Sequence, residues 1–167
     1  MKPFEPIDPL TVADHPNLVA SIADDRDENI TYYFLMIDDY LILSDAIYFT
    51  NKVTGESKWL HYQIEFPKQG MQWFLDALDN QFFKTEAEGG LPRGVFNCEG
   101  EVGGERLKLR RAFDVGGECG YAFITLDRKN ENSVMSRSYT FTDTFLFENG
   151  MIDLMKEIAA KIQRGEL

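Results

Sequence analysis

Phe66-Pro67-Lys68-Gln69-Gly70-Met71 and Leu146-Phe147-Glu148-Asn149-Gly150-Met151 stand 80 residues apart, each leading from an apolar pair through Gly to Met. Beyond the methionines the two segments stay in phase: Met71, Phe74, Leu75, Leu78 and Phe82 match Met151, Leu154, Met155, Ile158 and Ile162. The spacing i, i+3, i+4, i+7, i+11 draws one apolar stripe along each of two helices. Amphipathic stripes are common; the shared lead-in of strand, Gly and Met says more, because it fixes how each helix leaves its sheet. A repeat of this kind decides a fold. The first helix is expected over 67–84, with Pro67 at its first position, and the second over 148–164.

Upstream of each helix the pattern is that of strands. Segments 31–37, 40–44, 47–51 and 58–66 are rich in Tyr, Phe, Ile and Leu, and Asp38-Asp39 and Thr54-Gly55 suit the hairpin turns between them. Segments 95–101, 106–115, 120–128 and 135–147 repeat the scheme. Val102-Gly103-Gly104-Glu105 and Val115-Gly116-Gly117-Glu118 bracket one of these strands and read as Gly-Gly turns, since neither carries the Gly-Lys-Ser/Thr of a phosphate loop. Gly89-Gly90 and Pro92 mark a linker. The fold class expected is α+β: two tandem ββββα repeats with antiparallel sheets, each backed by one amphipathic helix, over 30–84 and 94–164 of a single domain. Residues 1–29 read as an arm broken by Pro3, Pro6, Pro9 and Pro16, with a short helix over 17–23.

The junction Phe66-Pro67-Lys68-Gln69-Gly70-Met71-Gln72-Trp73-Phe74-Leu75-Asp76-Ala77-Leu78 resembles the strand-to-helix junction of PUR repeats, which carry an apolar-Pro-x-x-Gly-apolar lead-in and then Phe and Leu at helical spacing. The tandem unit of four strands and a helix is also similar to Whirly proteins and to coactivators of the positive-cofactor type. The resemblance implies binding of single-stranded DNA or RNA on the sheet, and a homodimer.

Charge is uneven along the chain. The net value of −11 argues against a simple polyanion binder, which needs local positive potential. Residues 1–83 hold 5 basic and 14 acidic side chains, whereas 84–167 hold 12 and 14. Over 106–137 the balance reverses to +3. There, Arg106, Lys108 and Arg110 alternate with Leu107 and Leu109, so the cations share one face and the leucines enter the core. Tyr121 and Phe123 share a face of the next strand; Arg137, Tyr139 and Phe141 share one of the last. Together these eight residues make a mixed basic and aromatic platform, the combination that single-strand binding requires. The competing reading places Tyr121, Phe123, Tyr139 and Phe141 under a helix, because one sheet face must be covered. Trp59, His61 and Trp73 are lesser candidates, the last for a dimer contact.

No chemistry is dictated by the remaining residues. His15 and His61 lack partners at ligand spacing, so no metal is expected, and no cofactor. Cys98 and Cys119 form no C-x-x-C pair and read as reduced, half-buried thiols. Ser44-Asp45 lacks the glycines of a nucleophile elbow. Enzymatic activity is not expected. Nor does any stretch read as a membrane span or signal peptide, which suggests a cytoplasmic protein. The rival function is an acidic protein-interaction module of the same fold, engaging a basic partner without nucleic acid; exposed strand edges suit a homodimer in either case.

Overall fold

The computed structural model describes the whole sequence, Met1–Leu167. The chain is α+β, with two antiparallel sheets and two α-helices, and divides into the units Met1–Glu65 and Phe66–Leu167.

In the first unit β1 (Leu18–Ala23), β2 (Ile30–Ile37), β3 (Tyr40–Thr50) and β4 (Ser57–Leu60) are neighbours in chain order, and β5 (Gln63–Pro67) pairs with β3 as well. Three local expectations are corrected. The segment expected as a helix over 17–23 is β1, zipped along β2 from Leu18 opposite Leu35 to Ala23 opposite Thr31; tertiary pairing overrides the weak propensity of six residues. The two strands expected at 40–44 and 47–51 are one, because Ser44, Asp45 and Ala46 stay paired with Tyr33, Tyr32 and Thr31. The single strand expected at 58–66 breaks at His61-Tyr62. There the Tyr62 amide donates to Asp45 Oδ1 at 2.6 Å while the Asp45 amide donates to the Tyr62 carbonyl at 3.0 Å.

The Pro-rich arm is part of this unit. Ile7 and Val12 are buried with Leu35, Ile42 and Ala46, and Phe4, Leu18, Tyr33 and Ile37 pack against that cluster. Gln63 anchors the arm: its Oε1 accepts from the Ile7 amide at 2.8 Å, and its Nε2 donates to the Glu5 carbonyl at 3.2 Å.

In the second unit β6 (Asn97–Val102), β7 (Glu105–Ala112), β8 (Gly120–Lys129) and β9 (Ser136–Thr142) form a meander in chain order. Gly103 and Gly104 make the two-residue turn between β6 and β7 with φ of 57° and 80°. Gly116 and Gly117 turn back at φ of 62° and 93° before β8. Both are left-handed conformations that glycine adopts without steric penalty.

Both helices, α1 (Gly70–Ala77) and α2 (Met151–Gln163), belong to this unit, where α1 packs on α2, β6 and β7. Pro67 ends β5 instead of opening α1, which starts three residues later. A π-helical turn, Leu78–Phe82, prolongs α1, and another, Thr144–Glu148, replaces the last part of the strand expected over 135–147. The two echoed glycines have different physical duties. A Cβ at Gly70 would lie 2.8 Å from Leu107 Cδ1, so Gly70 permits close approach to β7. Gly150 instead caps α2 at φ 101°.

One ion pair is deeply enclosed at the end of this sheet. Arg128 Nε and Nη2 donate to the two carboxylate oxygens of Glu105 at 2.9 and 2.8 Å, and both side chains are only 7% exposed. Removing one member strands a buried charge, so Glu105→Ala or Arg128→Ala should each lower unfolding free energy by about 3–5 kcal/mol. The double change should cost clearly less than the sum; chemical denaturation of the four proteins of the cycle reads this out.

Candidate functional site

Cross-strand register assigns the two faces of the second sheet. Leu109 sits opposite Phe123 and Phe123 opposite Tyr139; Arg111 sits opposite Tyr121 and Tyr121 opposite Phe141; Leu107 and Thr125 continue to Arg137. Residues directly opposite share a face, and this one is the helix face. Phe74 of α1 meets Phe123 with ring centroids 5.1 Å apart, and Phe141 meets Phe145 at 5.6 Å. Tyr121, Phe123, Tyr139 and Phe141 accordingly keep 5%, 2%, 7% and 3% of their surface. They are core. The expected base-stacking role of these four is corrected on that ground, because a ring packed against helix side chains offers no face to a base.

The cations fall on the other side. Arg106, Lys108 and Arg110 of β7 alternate with the fully buried Leu107 and Leu109, so they point away from the aromatics. Arg137 stays on the aromatic side, and its Nε donates to the Lys129 carbonyl at 3.0 Å. The eight residues therefore do not form one platform.

Nor are the cations poised for phosphate. Arg106 Nε and Nη2 grip Asp127 Oδ1 at 2.9 and 2.7 Å, which raises the arginine and lowers the aspartate in pKa, the side-chain hydrogen bond being the main cause in both. Lys108 Nζ lies 3.3 Å from Glu99. Arg110 is exposed and faces Asn97 across the strands. With Ala122 and Ile124 buried opposite Arg110 and Lys108, this face is narrow in both charge and access.

Exposed rings gather elsewhere, around a cleft of about 380 Å³ at the end of the second sheet. Its walls include Phe82, Val95, Phe96, Arg111, Phe113 and Tyr121, with Lys84 and Arg93 at the linker side. Phe96, just before β6, and Phe113, just after β7, meet edge to face at 4.9 Å, held by the Arg111 amide donating to the Phe96 carbonyl at 2.8 Å. Beside them Phe83 meets Phe147 at 5.5 Å, Phe147 meets Tyr121 at 6.0 Å and Tyr121 meets Phe82 at 5.2 Å. Arg111 lies over the Tyr121 ring at 4.6 Å and is fixed there by two bonds to Asp143, 2.6 and 2.8 Å long. Only Tyr121 among the expected residues borders this cleft. The other wall residues come from separate parts of the chain, Phe82 from the turn after α1, Val95 and Phe96 before β6, and Arg111 and Phe113 at the end of β7, and only the folded register brings them together.

The minor candidates separate. Trp59 pairs with Tyr48 across β3 and β4 at 5.3 Å, both half-exposed, in the first unit. Trp73 rests on Gly100 of β6. Cys98 and Cys119 are free thiols, and burial pushes Cys98 up, away from thiolate chemistry. No group of three or more His, Cys, Asp or Glu side chains has a metal-binding arrangement, and no helix is long and apolar enough to cross a membrane. No family model, curated protein or solved structure matches the chain.

Burial raises the Tyr121 phenol, and the Arg111 guanidinium opposes that rise. Arg111→Met should therefore move Tyr121 further up, read as the tyrosinate absorbance that Tyr121→Phe removes. Linkage sets the sign: a phenol raised on folding gives its full stabilisation below the unfolded value near pH 10 and loses it as pH climbs through the folded value.

Proposed function

We propose that this chain is a binding module for a protein segment, engaged through the ring-lined cleft around Arg111. One observation carries the reading. Phe83, Phe96, Phe113 and Phe147 keep 54%, 48%, 58% and 42% of their surface while already locked in edge-to-face pairs. Clustered rings left in water at fixed geometry are unfavourable alone and are the usual anchors of an interface, since little ordering remains to be paid on binding. The net charge of −11 draws a positively charged partner over long range, whereas Lys84, Arg93 and Arg111 at the cleft itself suit apolar or acidic side chains of its docked segment. A second copy of the chain is one candidate segment, and light scattering reads it directly.

Single-stranded DNA or RNA is the second reading, moved from the sheet to this cleft. It is favoured by Lys84 and Arg93 beside the exposed rings, which pairs phosphate contacts with stacking surfaces.

Capture from native lysate before and after nuclease, with the wild type and with Phe96→Ser plus Phe113→Ser, separates the two. A partner that survives nuclease and is lost from the variant is the expected result. The variant should stay folded, since an exposed aromatic pair contributes only about 0.5–1.5 kcal/mol. Equal capture by the variant overturns the cleft as the site. Binding of short oligonucleotides that weakens with salt and vanishes in the variant would transfer the proposal to nucleic acid.

A further inference from the structure

The strand β6 is an edge. It pairs with β7 alone, and its outer rim has no strand partner. Along it Asn97, Glu99 and Glu101 are exposed on one face, while Cys98, Gly100 and Val102 are half-buried on the side of α1. The Trp73 indole lies so close to Gly100 that a Cβ there would fall 2.4 Å from Nε1. Trp73 borders two hollows beside this strand. One, of about 170 Å³, is bordered by Asp76, Asn80, Cys98 and Glu99; the other, of about 410 Å³, by Gln72, Val102, Ala159 and Ile162.

We propose that β6 takes up an extended basic peptide as an added strand. Edge addition draws affinity from main-chain hydrogen bonds and specificity from alternate side chains, and the charges here choose the occupant. A second β6 is a poor one: two-fold antiparallel pairing about Gly100 sets Glu99 opposite Glu101 of the copy, twice, and like charges opposite one another destabilise a ladder. The chain itself displays the right complement. Across the inner rim Glu99 faces Lys108 and Glu101 faces Arg106, and Arg106 is already turned to Asp127.

A peptide on the outer rim places alternate lysines or arginines against the same two carboxylates. Its other side chains point toward α1. Those opposite Cys98 and Val102 are four residues apart, roughly 13 Å along a strand, and reach the acidic and the apolar hollow respectively. The residue between them lies under the Trp73 indole and must be small.

The probe is the palindromic peptide Lys-Val-Lys-Gly-Lys-Val-Lys, which fits in either direction, carrying a fluorophore and titrated with the full chain. Saturable binding is expected, weakened roughly tenfold by Glu99→Gln with Glu101→Gln and lost when alternate peptide nitrogens are methylated. Phe96→Ser with Phe113→Ser should leave it unchanged, so the result is independent of the cleft. Equal binding of the methylated peptide would reduce the interaction to attraction by an acidic protein and overturns the proposal. It is overturned equally by an unaffected double-Gln variant, by loss of binding in the cleft variant, or by no saturable binding.

Discussion

The contact between Phe74 and the aromatic face of β7–β9 is the constraint on which the second unit rests. A four-stranded sheet must hide one face, and two helices deliver the stripes that hide it: Met71, Phe74 and Leu75 from α1 with Leu78 of the turn that prolongs it, Met151, Met155 and Ile158 from α2, all buried. Phe74 touches Phe66, Trp73 and Phe123 at 5.6, 5.2 and 5.1 Å, so strand exit, helix and sheet are joined at one ring. Once Phe123, Tyr139 and Phe141 are committed to that layer they are unavailable to any ligand, and Tyr121 reaches only the edge of the cleft. Two of the outward cations are committed too, since Glu99 and Asp127 stand within reach of Lys108 and Arg106. Rings and charges left over lie where strands end, at the cleft and along β6.

Much of the fold was legible because periodicity and turn chemistry are local. Alternation locates β7 and β8 within a few residues, Gly-Gly pairs locate their turns, and the stripe beginning at Met151 locates α2. The failures were decided at a distance. Nothing within residues 17–23 announces that β2 will offer them a ladder, and nothing at Ser44-Asp45-Ala46 says that Tyr32 and Tyr33 will keep that stretch extended. The break at His61-Tyr62 depends on Asp45, seventeen positions before Tyr62. The arm reads from its prolines as separate, yet Ile7 and Val12 fill a core that Gln63 completes.

The site was less legible than the fold. Period two tells which residues share a face of a strand but not which face the helices cover. Arg106, Lys108 and Arg110 do form one group, and so do Tyr139 and Phe141; only the register of Leu109 against Phe123 places the groups on opposite sides. Phe96 and Phe113 lie seventeen positions apart and meet because β6 and β7 run back on one another. A pair of that kind leaves no mark in one dimension.

The widened turn at Leu78–Phe82 bears on how length is tolerated here. A π turn houses one residue more than the α-helical path would, and the surplus rotates everything after it by most of a right angle. It is by this offset that Phe82 meets Tyr121 while its neighbour Phe83 meets Phe147. A chain shortened by one position at Asp79, Asn80 or Gln81 would relax into a regular coil, keep both stripes buried up to Leu78, and swing the two phenylalanines off their partners. Insertions and deletions in this short stretch thus bear on the cleft far more than on the stability of the layers beneath it.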